Sequence, residues 1–353
     1  YGRKATMIWS LASYGVISLL SAFSPTYAVL WWTRFIAGTA LSGVLVSSFV
    51  YFEELLPVKV RGPATVYLAS GWPIGMLVAI GVTAALRHTS WQWIIAVSSL
   101  AGLWALVVWK LAPESPYWAA GKGRQKLAKR SISQLSGGKL DSQITGAELI
   151  VDHYGQGSYR ELFRQKLRRV TFLQAAVNFF FSWGYWGLAS WMPILLADRG
   201  LSTPEGDAFM AVSALSMVPG YVAASWLTGR WGRKKIMVGF VASAAAFGFG
   251  FAQSETLIQM YLWNFGLFFL NQGAWGVWDT WLGEFYPTEV RGVGYSLGLT
   301  VQRVANSLAP VVMGALLARN MGFGFTVSFI SFFLITAAAC SLFLPETEGE
   351  VLH

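Results

Sequence analysis

Three ionisable residues stand inside long apolar runs of this sequence: Asp279, Arg303 and Arg34. A charge at bilayer depth is costly on every scale, so such a residue is a functional candidate by default. Asp279 lies eight residues before Pro287, about 12 Å along a helix and hence near mid-depth of a hydrocarbon core. Burial favours the neutral form of a carboxyl, which makes Asp279 a candidate proton carrier. Arg303 follows Gly292 by eleven residues and precedes Pro310 by seven. Its depth is similar if the next helix is antiparallel. A buried guanidinium presents a fork that matches a carboxylate, which argues for an anionic ligand. The rival reading is a structural ion pair between Asp279 and Arg303. Arg34 stands twenty residues before Glu54, nearer the outer surface, where snorkelling competes with any proton-coupling role.

Several chemistries are excluded. The single cysteine, Cys340, allows no disulfide framework and no thiolate cluster. His88, His153 and His353 are scattered and suggest no metal site. There is no phosphate-binding glycine loop, catalytic triad or basic–aromatic nucleic-acid patch. The sequence therefore reads as no enzyme, with no cofactor, no metal and no nucleic-acid partner. The lack of an ATP-binding sequence implies no direct use of ATP by this chain.

The elements that must position the charges follow from composition. The chain is 55% hydrophobic and 12% charged, with a mean hydropathy of +0.49. Soluble domains carry roughly twice that charged fraction. Apolar runs near a bilayer span in length recur throughout, so the expected class is an all-α polytopic membrane protein. Ten crossings can be drawn, at 5–24, 27–52, 63–86, 90–112, 170–197, 207–228, 235–253, 256–283, 293–318 and 323–344. Residues 119–169 form the long polar stretch, with eleven Lys/Arg against four Asp/Glu. A capping box at Ser158–Glu161 predicts an amphipathic helix carrying Leu162, Phe163 and Leu167 on one side. Residues 121–157 read equally well as an irregular linker. The basic loops collect on one side of the ten-helix scheme, so that side, with the linker and the C-terminus, is expected to be cytoplasmic.

The sequence also repeats. Gly2-Arg3-Lys4 matches Gly232-Arg233-Lys234, and Glu54…Pro57…Arg61-Gly62 matches Glu284…Pro287…Arg291-Gly292, both at an offset of 230. Pro113-Glu114-Ser115 matches Pro345-Glu346-Thr347 at 232. Two parallel repeats explain this register. The expected division is an N-terminal half over 1–118, a basic linker over 119–169 and a C-terminal six-helix half over 170–353. The second repeat has two crossings before its Gly-Arg-Lys, whereas the first begins at that landmark. The expectation is a six-plus-six protein whose first two helices are absent from this sequence, leaving ten.

These landmarks resemble the major facilitator superfamily. Arg230-Trp231-Gly232-Arg233-Lys234 looks like its D-R-x-G-R-K loop, and Tyr1-Gly2-Arg3-Lys4 like the tail of the first copy. Pro113-Glu114-Ser115-Pro116-Tyr117 and Pro345-Glu346-Thr347-Glu348-Gly349 are similar to the sugar porters' P-E-S-P-R and P-E-T-K-G. The resemblance implies a cytoplasmic gate in which Arg3, Arg61, Arg233 and Arg291 pair with Glu54, Glu284, Glu114 and Glu346, breaking and reforming as the halves rock. Glu284-Phe285-Tyr286-Pro287-Thr288 followed by Arg291 looks like the branch that holds organic ion transporters and bacterial nicotinate or aromatic-acid proton symporters. The sugar porters' Q-Q-x-x-G-I-N is absent. In sugar porters the place of Asp279 resembles a cavity-lining tryptophan, which implies that Asp279 faces the cavity. The place of Arg303 resembles one where organic anion transporters carry arginine and cation transporters aspartate. Arg34 resembles an arginine that pairs with an acid on the first helix.

Trp183, Tyr185 and Trp186 share a helix that lines the cavity in this family, as do Trp275 and Trp278. Aromatic walls and one cation suit a flat ring acid. The sequence therefore predicts a monomeric secondary transporter of the inner membrane. It would move a small organic anion of the aromatic or heteroaromatic carboxylate type by alternating access, with protons and the lipid bilayer as its other partners. The rivals are a sugar:proton symporter, an organic cation carrier using Asp279, and a membrane sensor that moves nothing.

Overall fold

The computed structural model describes residues 2–57, 68, 71–151 and 158–347. Among these the chain is helical, with no strand. It divides into two compact units: Tyr1–Leu68 with Gly81–Tyr154, and Ala69–Ile80 with Gly155–His353. The short segment Ala69–Ile80 belongs with the second unit, a placement that the sequence division at 118 does not anticipate.

In the first unit, α1 (Arg3–Ala22) packs along α2 (Tyr27–Leu55) and is crossed by α4 (Trp91–Ser98), a 3-10 segment (Ser99–Leu103) and α5 (Trp104–Leu111). The expected crossing 90–112 is thus one rod with a tightened middle. Its cause is close approach. A Cβ on Gly15 would lie 2.7 Å from the Gly102 Cα, so the two backbones touch with no side chain between them. α3 (Gly71–Ala85) is the described part of the third expected crossing.

The basic linker is more ordered than an irregular chain. Pro at N1 and the Ser115 side chain, which accepts from Trp118 N at 3.0 Å, start α6 (Pro116–Gly121). It packs on α7 (Gln125–Ser136), where Trp118, Ala119 and Ala128 form a small core, and α7 ends at Gly137 in the left-handed conformation. Two single turns follow, α8 (Asp141–Ile144) and α9 (Tyr159–Leu162). The helix expected after Ser158 is cut short. Leu162 is buried and its carbonyl accepts from Thr171 Oγ1 at 2.9 Å, but Phe163 turns outward onto Phe172. Ser158 caps Arg160 N rather than the residue a capping box requires.

The second unit holds five long helices that contain the site: α10 (Gln165–Asp198), α11 (Thr203–Trp231), α12 (Arg233–Ala252), α13 (Leu257–Glu284) and α14 (Thr288–Ala318). A sixth, α15 (Phe323–Ser341), packs on α10 and α12. Among the described residues, seven helical segments are long and apolar enough to cross a membrane. α10 and α13 have the length but carry buried amides, including Gln174, Asn178, Asn264, Asn271 and Gln272, which lower their hydropathy. These amides are satisfied in pairs where partners exist. Asn264 donates to Ser213 and Gln272 to Tyr221, each across a sequence interval of 51, so α11 and α13 run parallel in a fixed register. Gly220 allows the approach, since a Cβ there would lie 2.1 Å from the Phe269 carbonyl oxygen. The repeat shows in the caps as well: Thr26 caps α2 and Thr256 caps α13, each accepting from the third residue on at 3.3 Å.

Candidate functional site

α13 and α14 are consecutive, yet each packs mainly on other helices, α13 along α11 and α12, and α14 along α10. Asp279 projects from the first and Arg303 from the second, both half-buried. They interact electrostatically. Among the described residues, however, neither head group has a hydrogen-bond partner and the two do not close an ion pair. The two interact at longer range than a closed ion pair. Buried charges of this kind cost stability unless something meets them.

Tyr221 extends this pair. It lies within electrostatic range of Asp279 and Tyr185, accepts from Gln272 Nε2 at 2.7 Å, and packs against Gly276, where a Cβ would come within 2.9 Å of its ring. Tyr185 in turn meets the rings of Trp186 and Trp275 at 5.5 and 6.1 Å. Trp186 meets Trp72 edge-on at 5.7 Å. Beside these rings, Trp275 Nε1, Gln272 Oε1 and Asn271 Oδ1 are buried without a partner among the described residues. Sequence reasoning missed Tyr221, Asn271 and Gln272 as site residues. Their signal was available as amides in an otherwise apolar helix and as the Pro219-Gly220-Tyr221 interruption.

Two of the expected wall aromatics make packing contacts. Trp278 is 0% exposed; its indole N–H donates to Asn178 Oδ1 at 3.0 Å and its ring meets Trp281. It belongs to the seam between α10 and α13, where an amide needed a donor. Trp183 lies flat on Phe333 at 5.0 Å and packs with Ala305 and Ala309, on a face of α10 away from Tyr185. Eighteen tryptophans in an apolar bundle serve packing as often as binding.

Arg34 is held inside the first unit. Its Nη2 donates to Ser18 Oγ at 2.9 Å and its Nε to Ser21 Oγ at 3.3 Å, both on α1. These bonds hold the side chain between helices rather than at the membrane surface.

The charged corners are built twice. Arg3 pairs with Glu54 at 3.2 Å and Arg233 with Glu284 at 2.5 Å, again at an interval of 51 in both copies. Glu114 accepts from the Lys4 backbone N–H at 3.0 Å, and Glu346 from those of Arg233 and Lys234 at 3.0 and 3.1 Å. Each glutamate therefore caps the N-terminus of a helix, where orphan donors and the helix dipole favour an anion. This adds backbone partners to the charges of the expected gate. The two arginine–glutamate pairs lie within one half each, Glu114 and Glu346 hold backbone groups, and Arg291 donates from Nε to the Tyr286 carbonyl at 3.3 Å. Arg61 lies outside the described residues. Gly232 has φ +86, and a Cβ there would lie 2.5 Å from Glu346 Oε2. Gly232→Ala is expected to cost about 1–3 kcal/mol through strain in a region open essentially to glycine, read as a lower melting temperature in detergent. Unchanged melting would show that the corner is not rigid.

Apolar crossings, charges buried among them and a duplicated charged corner mark a multi-pass membrane protein. The sugar (and other) transporter family model matches residues 1–353. The chain belongs to that family, within the major facilitator superfamily. It is 30% identical to the niacin transporter NiaP of Acinetobacter baylyi, over 100% of this chain and 81% of that protein. It is 25% identical to the sialic acid transporter NanX of Escherichia coli, over 98% and 77%. Among solved structures, the partially occluded inward-open xylose transporter XylE from E. coli superposes with a TM-score of 0.78 at 17% identity, covering 99% of this chain and 82% of that one.

Proposed function

We propose that this transporter moves a small organic anion, of the aromatic or heteroaromatic carboxylate type, by alternating access coupled to protons. The observation that carries the reading is Arg303, a half-buried guanidinium in electrostatic contact with Asp279 and Tyr295, on a helix that packs along α10, the carrier of Tyr185 and Trp186. The guanidinium fork matches a carboxylate and the rings stack on a flat acid. The names of the relatives support this class, since niacin and sialic acid are both carboxylic acids. The likeness to xylose transporters, at 17% identity, speaks to the fold alone. In this reading Asp279 exchanges the proton and Tyr221 sits between the two functions. The protein acts as a monomer in the inner membrane, with the linker and the charged corners on the cytoplasmic side.

Initial uptake of labelled nicotinate and labelled xylose into proteoliposomes tests the substrate class. Saturable nicotinate uptake without xylose uptake is expected; the reverse would replace the anion reading with a sugar one. Asp279→Asn separates the proton from the solute. Asparagine cannot gain or lose a proton at working pH, so counterflow of the acid should persist while accumulation driven by an imposed pH gradient is lost. A variant that still accumulates the acid against its gradient would remove Asp279 from the coupling.

A further inference from the structure

The basic stretch between the halves has no part in the site described above. From Pro116 to Leu140 it carries Lys122, Arg124, Lys126, Lys129, Arg130 and Lys139 and no acid. α7 buries Ala128 and Ser131 and leaves Lys126 and Arg130 exposed. Lys126, Arg130 and Gln134 stand at i, i+4 and i+8, one line along the helix. Gln134 Nε2 reaches the Leu111 carbonyl at 3.3 Å. Leu111 ends the apolar crossing Trp91–Leu111, so this contact tethers α7 where hydrocarbon gives way to head groups. Exposed apolar side chains share that level: Trp109, Leu111 and, on α7 itself, Leu135. Lys110 lies between the first two and is exposed as well.

We propose that α7 is a docking surface for anionic phospholipid head groups of the membrane that the chain spans. The charge complementarity is one-sided, with six cations and no anion to neutralise them within the stretch. The place is equally specific, because Trp109 and Leu135 bring apolar surface to the interfacial layer while the Lys126–Arg130 line meets phosphate. The small core under α7 and the Arg124 guanidinium over the Trp118 ring, at 5.1 Å, hold the helix in shape without the lipid. The proposal is independent of the transported solute.

The test uses the purified protein in nanodiscs of phosphatidylcholine alone or mixed with phosphatidylglycerol, read by hydrogen–deuterium exchange over residues 125–136. The triple variant Lys126→Gln, Lys129→Gln, Arg130→Gln removes the charge and keeps good helix formers. Exchange should be slower by about tenfold in the anionic discs, and the difference should vanish in the variant and at high salt. Equal exchange in both discs would overturn the proposal, as would a variant that keeps the lipid effect. Slowing by added RNA but not by anionic lipid would also overturn it and assign the surface to nucleic acid.

Discussion

Arg303→Ala is expected to abolish most acid uptake. A charge-assisted contact to a carboxylate contributes about 1.5–3 kcal/mol, so removing it should lower kcat/KM for nicotinate by about tenfold to a hundredfold. Lysine at this position keeps the charge and loses the fork, so Arg303→Lys should recover only part of the loss. Because Arg303 makes no side-chain bond among the described residues, the alanine variant should fold and insert normally, which size-exclusion profiles of the purified protein would check. Uptake that survives Arg303→Ala would end the anion-site reading while leaving the family assignment untouched. Asp279 sharpens the expectation. With the guanidinium gone, the remaining carboxylate faces the substrate's own negative charge, and repulsion adds to the lost attraction.

Gly220→Leu is expected to be the most damaging packing change. The backbones of α11 and α13 meet there, with the Phe269 carbonyl oxygen 2.1 Å from the place a Cβ would take. Accommodating four more carbons requires the helices to separate, which also breaks the Gln272–Tyr221 and Asn264–Ser213 bonds that set their register. A loss of about 3 kcal/mol or more follows from overpacking alone, and the yield of folded protein should collapse. Gly229 provides the control on the same helix, because a Cβ there meets nothing within 4 Å. If Gly220→Leu melted like Gly229→Leu, the seam would be looser than the structure describes.

Much of this architecture was legible in the sequence because a membrane helix writes itself as a long apolar run, and a duplicated gene as landmarks at constant offset. Asp279, Arg303 and Arg34 stood out for the same reason: a charge in hydrocarbon is conspicuous. What the sequence did not reveal was direction around each helix. Trp183 and Tyr185 are two residues apart, yet one rests on Phe333 and the other faces Trp275. Trp278 looked like a wall residue until Asn178 proved to be its partner. Helices that are apolar on their exposed face as well as their packed one carry little amphipathic signal, so periodicity could not orient them. The charged corners carry a related lesson. Motif identity shows which charges cluster, but not that a carboxylate such as Glu346 is engaged by backbone N–H groups.

The duplicated corners at Gly2 and Gly232 have a mechanical consequence. In each, a carboxylate clamps the start of a helix and an arginine clamps a neighbouring one from the same bundle. Each corner thereby braces its own bundle where two of its helices meet.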